Sequence, residues 1–137
     1  MTHPPFSSPE FPMTCSRAFA VLALLLSAFA ANFVHAEPAA KMAGGMWVNT
    51  SGMTLYTFDR DVAASGKSVC NGPCAALWPP AMAAADAKPE GDFTIVVRDD
   101  GARQWAYKGK PVYTYTGDKK AGETTGDNFK DSWHVIK

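Results

Sequence analysis

Apolar residues cluster in several short segments in the second half of the chain, separated by polar turn residues, a pattern that predicts β-strands. These segments are rich in β-branched and aromatic residues, which favour strands. They cover residues 93–97, 103–107, 112–115 and 133–136. Turn signals at Asp99-Asp-Gly101 and Lys108-Gly109 separate the first three, and the second turn needs a positive φ at glycine. The sequence therefore predicts a three-stranded meander, then a loop at residues 118–128 and a final strand.

An earlier part of the chain carries a hairpin signal. Two apolar-rich segments flank the turn residues 50–52 (Thr-Ser-Gly). In the second segment, Tyr56 and Phe58 fall on one face of the predicted strand, whereas Leu55 and Thr57 fall on the other. The pattern therefore predicts two paired strands around this turn.

Between these β-rich parts lies a segment with turn and helix signals. Cys70-Asn-Gly-Pro-Cys74 predicts a turn, and residues 75–78 predict one helical turn that ends at Pro79-Pro80. Residues 81–87 are rich in alanine. Their pattern leaves open whether they form a short helix or a loop.

The N-terminal segment has the three parts of a secretory signal peptide. Arg17 precedes an uncharged apolar run at residues 18–31, and Val34-His35-Ala36 predicts cleavage after its last residue. The run is shorter than the roughly 20 residues of a membrane span, and an uncleaved N-terminal anchor remains the alternative. Met13 would make a more ordinary signal start than Met1, and either start leaves the predicted mature protein unchanged.

The predicted domains are a cleaved signal peptide at residues 1–36, a flexible lead-in rich in Ala, Pro and Gly at residues 37–45, and a single β-rich domain at residues 46–137. The apolar run is not followed directly by a cysteine that could carry a lipid, and Cys15 precedes it. We therefore expect a soluble periplasmic or secreted product, without a lipid anchor or stable membrane insertion after cleavage.

Charge balance limits the classes of partner. The chain has 13 Lys and Arg residues against 13 Asp and Glu residues, which gives a formal net charge of +0. Nucleic acids and anionic membranes require a basic face, so a neutral chain argues against both. The predicted partner is instead an unknown envelope protein or a small ligand.

An internal repeat links the two β-rich parts. Residues 52–61 match residues 109–118 at Gly, Tyr, Thr and Asp, with Leu paired to Val and Phe paired to Tyr. A tryptophan precedes each copy and another follows it: Trp47 and Trp78 for the first copy, Trp105 and Trp133 for the second. The predicted fold class is therefore mainly β: a small antiparallel sheet or partly closed barrel, built from two related hairpin repeats with a short helical or loop segment in the middle.

The repeated motif resembles that of secreted-repeat proteins described as lipoproteins with a conserved Tyr-x-(Phe/Trp/Tyr)-x-x-Asp sequence. Tyr56, Phe58 and Asp61 fit the motif in the first copy. The second copy fits it through Tyr113, Tyr115 and Asp118. The resemblance covers essentially the whole predicted mature chain and implies an exported β-domain. It departs at the leader, which lacks a lipid-bearing cysteine, and the family supplies no established activity.

Cys70 and Cys74 are the two cysteines of the predicted mature chain. In an oxidising compartment we expect them to form a structural disulfide, and a loop this short would gain roughly 2 kcal/mol. A thiol–disulfide redox pair is one alternative, although the usual spacing has two intervening residues and no cation adjoins them in sequence. A soft-metal site is another, although it lacks further ligands.

The motif side chains have two interpretations each. The aromatic residues, Tyr56, Phe58, Tyr113 and Tyr115, form either a ligand-stacking platform or, as we favour, core and cross-strand pairs. A buried tyrosine hydroxyl would need a partner, and the motif aspartates lie nearby in sequence. We predict that Asp61 and Asp118 hold turns, with a calcium site among loop aspartates as the alternative.

Methionines supply a second candidate metal site. Met46, Met53 and His134 are the candidate copper ligands, together with Met42 and Met82, because thioethers suit a soft ion. Core or linker methionines are the simpler interpretation, and we predict that His134 is a strand residue with a satisfied ring. The leading hypothesis is a non-enzymatic binding or structural domain without a cofactor, and its rivals are a metal-binding protein and a thiol–disulfide protein.

Overall fold

A computed structural model describes residues 39–137, which contain seven β-strands, one short α-helix and one 3₁₀ turn. The predictions on the signal peptide and the start site concern residues 1–36 and lie outside the described residues. No helix within residues 39–137 has the length and apolar character needed to cross a bilayer. The strands are β1 (Lys41–Ala43), β2 (Met46–Val48), β3 (Tyr56–Phe58), β4 (Phe93–Val97), β5 (Arg103–Tyr107), β6 (Lys110–Tyr113) and β7 (Trp133–Val135).

The main sheet is antiparallel and has five strands in the order β4-β5-β6-β3-β7. The predicted meander is present as β4, β5 and β6. β3 inserts between β6 and β7, so the first repeat pairs with the second in the centre of the sheet. The predicted fold class is confirmed in its open form, because β4 and β7 are the two edges and the sheet does not close into a barrel.

A small second sheet involves the predicted lead-in. β1 pairs antiparallel with β2, and Met42 lies opposite Trp47. Within the predicted lead-in at residues 37–45, Lys41–Ala43 pair their backbone groups with β2. Ala39 is buried against the core of the domain. The Gly44-Gly45 pair, both at positive φ, forms the tight turn that permits this pairing.

The two repeats have matching surroundings on either side of the β3–β6 pair. Tyr56 lies opposite Tyr113 in this pair. β7 runs along the other edge of β3, and residues 77–81 run along β6 in the same way, with Thr114 N donating to Pro79 O and Ala81 N donating to Val112 O. The fold is therefore a pseudo-twofold arrangement, as the sequence repeat predicts.

Alternation along β3 separates two cores. Leu55 and Val112, equivalent residues of the two repeats, are fully buried in an aliphatic core. Tyr56 and Phe58 face the opposite side and enter an aromatic core, as their alternating positions predict. The aliphatic core consists of Ala39, Leu55, Ala83, Ala87, Phe93, Trp105, Val112 and Ile136. The aromatic core consists of Tyr56, Phe58, Cys70, Trp78, Tyr113 and Trp133.

The middle segment holds α1, Pro73–Leu77. The helix begins two residues earlier than the predicted helical turn because Pro73 occupies its first turn, where a missing N–H costs nothing. It ends at Leu77, and its C-cap Trp78 directly precedes Pro79-Pro80. Residues 81–87 form a loop, in which Met82 makes an isolated bridge to β5. The open choice between helix and loop is thereby settled in favour of a loop.

Candidate functional site

The motif tyrosines and aspartates bond across the two repeats. The Tyr56 hydroxyl donates to Asp118 Oδ2 at 2.7 Å, and the Tyr113 hydroxyl donates to Asp61 Oδ2 at 2.5 Å. Each tyrosine therefore uses the aspartate of the other repeat, although the aspartate of its own repeat is much closer in sequence. All four side chains are buried.

Burial changes the acidity of both tyrosines. Loss of solvent raises the pKa of Tyr56 above its ordinary value, and the hydrogen bond to Asp118 raises it further. The pKa of Tyr113 is raised by the same two causes, with Asp61 as the carboxylate. Both hydroxyls are therefore held protonated well beyond neutral pH, as donors to a carboxylate.

Each motif aspartate also closes the loop that follows its strand. Asp61 Oδ1 accepts from the backbone N–H of Val69 at 2.7 Å. Asp118 Oδ1 accepts from the backbone N–H and the hydroxyl of Thr125, at 2.9 and 2.5 Å. Both carboxylates therefore accept a backbone N–H from the loop that follows their strand.

Four aromatic rings stack in a row through the aromatic core. Phe58 lies 4.3 Å from Trp133, Trp133 lies 3.8 Å from Trp78, and Trp78 lies 4.2 Å from Tyr115, measured between ring centroids. The planes of the two tryptophans differ by 2°. Phe58 and Tyr115 are equivalent in the repeats, as are Trp133 and Trp78, so the row itself is pseudo-symmetric.

A glycine makes room for this row. A Cβ at Gly126 would lie 2.6 Å from the Trp78 ring and 3.0 Å from Tyr115. The same residue donates its N–H to the Tyr56 hydroxyl at 3.3 Å. Any larger residue at this position would therefore displace the stack and the hydroxyl together.

Arg98 is a buried cation that no local sequence pattern predicts. Its guanidinium donates to Ser68 Oγ at 3.0 Å, Gln104 Oε1 at 2.7 Å, Cys70 O at 2.5 Å and Asn71 Oδ1 at 3.0 Å. An arginine beside an Asp-Asp-Gly turn is typical of an exposed position. No local pattern indicates this burial, because Ser68, Cys70 and Asn71 supply their acceptors to Arg98 only after folding.

A directional chain of hydrogen bonds joins this cation to a motif carboxylate. The single proton of Tyr113 goes to Asp61, so Ser68 must donate to the Tyr113 oxygen across their 2.5 Å contact. Ser68 in turn accepts from Arg98. The charges of Arg98 and Asp61 are therefore linked through two hydroxyls with every donor matched to an acceptor.

Cys70 and Cys74 form a disulfide bond. Cys70 is fully buried, whereas Cys74 is half-buried. No cation adjoins these cysteines in sequence, yet the fold brings the Arg98 guanidinium to the carbonyl oxygen of Cys70. The disulfide therefore closes the loop whose carbonyl and side-chain oxygens hold Arg98.

Beside the disulfide lies a surface pocket of about 350 Å³, here called the aromatic pocket. Three of the four stacked rings, Phe58, Trp78 and Trp133, line it. Its walls come from both repeats and from the start of β7. The lining residues are Phe58, Arg60, Cys74, Leu77, Trp78, Phe129, Lys130, Ser132 and Trp133.

One wall of the aromatic pocket has an unusual backbone. Asn128, Lys130 and Asp131 all adopt positive φ, between 50° and 57°. This conformation is disfavoured for residues with a Cβ, and such residues concentrate at functional sites. The strained turn places the ring of Phe129 against Trp78, at a centroid distance of 5.7 Å.

The metal candidates lie on separate elements. Met42 is exposed on β1, and Met82 is exposed beside β5. Met46 lies on β2, with its sulfur near the Thr54 hydroxyl. These three methionines therefore lie on three separate segments of the domain.

The other two candidate ligands, His134 and Met53, both form hydrogen bonds with other residues. His134 bonds through Nε2 to Asp59 Oδ2 at 2.9 Å. Met53 lies in the β2–β3 turn, where its backbone bonds to Asn49. Within residues 39–137, no three His, Cys, Asp or Glu side chains form a group able to hold a metal.

Comparison with known families now places the chain. Residues 39–82 and residues 94–137 each match a lipoprotein family described as a secreted repeat of unknown function. The chain belongs to this family. The two matched ranges each contain one copy of the tyrosine–aspartate motif, so the resemblance inferred from the motif is confirmed. No match was found among curated proteins or among solved structures.

The two family repeats are joined through the tyrosine–aspartate bonds of the site. In each tyrosine–aspartate pair, the tyrosine belongs to one copy of the secreted repeat and the aspartate to the other, so these two bonds hold the copies together. The family description supports export. The family description carries no activity, so function rests on the geometry of the aromatic pocket.

Proposed function

We propose that this secreted-repeat protein is a non-enzymatic binding domain, and that its binding site for a small ligand is the aromatic pocket. The volume of about 350 Å³ falls within the range of small-molecule sites. Pockets of this kind combine aromatic walls with a few polar groups that orient the ligand. Here Phe58 and Phe129 supply apolar surface, and Arg60, Lys130 and Ser132 supply the polar groups.

The single observation that carries the proposal is the rigid construction of this pocket. Trp78 and Trp133, which line it, are fixed by parallel stacking at 3.8 Å. The disulfide fixes the position of Cys74, which also lines the pocket. A preformed site loses less conformational freedom on binding than a mobile surface does, so such rigidity favours binding of a ligand.

We place this function in an extracytoplasmic compartment, the periplasm or the extracellular medium. The predicted signal peptide and the disulfide favour that location. The partner in this proposal is a small ligand. An unknown envelope protein is the other partner that the sequence leaves open.

The test uses the four tryptophan indole N–H resonances of the nitrogen-labelled mature protein. Small aromatic compounds that bind in the aromatic pocket should shift the resonances of Trp78 and Trp133. The resonances of Trp47 and Trp105, which pack with the aliphatic core, should stay in place. Shifts at Trp47 and Trp105 alone would contradict the assignment of the site.

A variant pair sharpens this test. Leu77 is 41% exposed and lines the pocket, so Leu77→Phe should weaken the shifts by occupying part of the space without changing the charge. Met82 is 55% exposed and lies outside the pocket lining, so Met82→Phe is the matched control and should bind normally. Equal binding by both variants would exclude the aromatic pocket as the binding site.

A thiol–disulfide function is the second candidate, because Cys74 lines the same pocket. It predicts that a small dithiol reduces the disulfide rapidly in the folded protein, with Cys74 attacked first, since Cys70 is fully buried. Mass analysis after alkylation would follow the reaction. A disulfide that opens only on unfolding would eliminate this candidate and leave the binding function standing.

A further inference from the structure

The charges that line the aromatic pocket have one sign. Arg60 and Lys130 both line it and are exposed, and among the lining residues within the described part of the chain there is no carboxylate. The nearby Asp59 is engaged with His134 at 2.9 Å. Two cations at the mouth of a partly enclosed site favour a negatively charged ligand.

The stacked rings also favour a negatively charged ligand. Trp133 carries Phe58 on one face and Trp78 on the other, at 4.3 and 3.8 Å. Trp78 carries Trp133 and Tyr115 in the same way. Both faces of each indole are occupied within the protein, so only ring edges can meet the pocket. The edge of an aromatic ring is the positive part of its quadrupole.

These edges accept two kinds of ligand group. An anionic oxygen is attracted to a positive edge, and an aromatic ring can present its negative face to it in an edge-to-face contact. Phe129 adds an apolar wall, with Lys130 Nζ 5.6 Å from its ring centroid. The pocket thus suits a molecule that carries both a negative charge and an aromatic ring.

A second pocket of similar size provides an internal contrast. It measures about 330 Å³ and is also partly aromatic, through Trp47 and Phe93. Among its lining residues within residues 39–137, the charged ones are Glu90 and Asp92, and none is a cation. Aromatic walls alone therefore do not distinguish the two pockets, whereas their charges do.

From these observations we propose that the ligand of the aromatic pocket is a small aromatic carboxylate. This inference rests on the proposed function. The carboxylate would lie between Arg60 and Lys130, and the ring would meet the edges of Trp78 and Trp133. The volume of about 350 Å³ fits one compact molecule.

The experiment compares three probes with the same ring system: naphthoate, its neutral amide, and the corresponding naphthylmethyl ammonium ion. Binding to the mature protein is followed through the tryptophan indole N–H resonances. We expect naphthoate to shift Trp78 and Trp133, and to bind at least about tenfold more tightly than the amide, which corresponds to one charge-assisted contact. Added salt should weaken naphthoate more than the amide.

Charge-removing variants test the residues. The double variant Arg60→Gln, Lys130→Gln should weaken naphthoate about tenfold or more and leave the amide unchanged. Lys67 and Lys88 are exposed and line none of these pockets, so Lys67→Gln, Lys88→Gln is the matched control. Circular dichroism of both double variants verifies that each is folded.

The outcomes separate the inference from the proposed function. If the amide shifts Trp78 and Trp133 as strongly as naphthoate, the carboxylate inference is wrong and the binding site stands. If naphthoate binds but shifts only Trp47, both are wrong. If the ammonium probe alone binds at Trp78 and Trp133, or if no probe binds there, the aromatic carboxylate is overturned.

Discussion

The two tyrosine–aspartate pairs are equivalent in sequence but differ in what surrounds them. Around Tyr113 and Asp61, the hydroxyl also contacts Ser68, which leads to the buried Arg98. Around Tyr56 and Asp118, the hydroxyl accepts only a backbone N–H, from Gly126. The disulfide closes the loop beside the first pair, whereas Thr125 closes the loop beside the second.

This difference shows that one motif can be completed in two ways. Near Tyr113 and Asp61, the positive charge of Arg98 balances the negative charge of Asp61, and neutral oxygens hold the Arg98 guanidinium in place. The Asp118 side relies on hydrogen bonds alone, with two donors from Thr125. We therefore expect the first side to be more sensitive to substitution, because a buried charge that loses its partners is costly.

The largest effect should come from Arg98→Met. It removes the donors to Ser68, Gln104, Cys70 and Asn71. Leaving buried acceptors unpaired and isolating Asp61 should lower the free energy of unfolding by about 3 to 5 kcal/mol. Urea unfolding of the oxidised protein measures this.

The control for that substitution is Lys88→Met, at an exposed position, which should change the free energy of unfolding by less than about 0.5 kcal/mol. If Arg98→Met costs no more than Lys88→Met, the guanidinium network contributes nothing and the two sides of the molecule are energetically alike.

A smaller effect is expected from removing each tyrosine hydroxyl. Tyr113→Phe should cost about 2 to 3 kcal/mol, because Asp61 Oδ2 and Ser68 both lose a partner. Tyr56→Phe should cost about 1 to 2 kcal/mol, since Asp118 keeps both donors from Thr125. Urea unfolding of the two single variants measures the difference. The reverse order would show that Arg98 does not make its side the more sensitive one.

The smallest effect is expected at alkaline pH, where the two tyrosine–aspartate pairs should respond alike. Both tyrosines have a pKa raised above the ordinary value of 10.0 by burial and by a carboxylate. The folded state therefore resists ionisation that the unfolded state permits. Stability is fully present below about pH 10 and is lost as the pH rises further.

Urea midpoints measured from pH 8 to about pH 11 follow this loss. The double variant Tyr56→Phe, Tyr113→Phe should lose less stability across that range than the natural protein, and each single variant should lie between them. Equal slopes in all four proteins would mean that these hydroxyls do not control the alkaline response.

Much of the fold could be predicted because strands and turns leave local signals. The alternation around Leu55 and Tyr56 correctly separates the two faces of β3, since side chains alternate strictly along a strand. Lys108-Gly109 correctly marks the β5–β6 turn, where Gly109 has φ 84°. The sequence repeat identifies the relation between the halves. β1 escaped prediction because an Ala, Pro and Gly-rich composition does not reveal a strand that depends on its partner β2.

The site was less predictable because its contacts are between residues distant in sequence. Tyr56 and Asp118 are 62 positions apart, and Tyr113 and Asp61 are 52 apart. The sequence placed each hydroxyl near the aspartate of its own repeat. Likewise, Arg60 and Lys130 meet at one pocket only because β7 returns beside β3. No local pattern carries such information.

The exchange of tyrosine–aspartate bonds also limits how such a domain can be divided. A chain with a single repeat would place one tyrosine hydroxyl and one carboxylate in its interior, each lacking its counterpart. Two such chains could complete the set by associating about a twofold axis, as the two halves do here within one chain. The same geometry would let two full chains trade halves and regain every bond, so we expect domain-swapped dimers as an assembly error of this architecture.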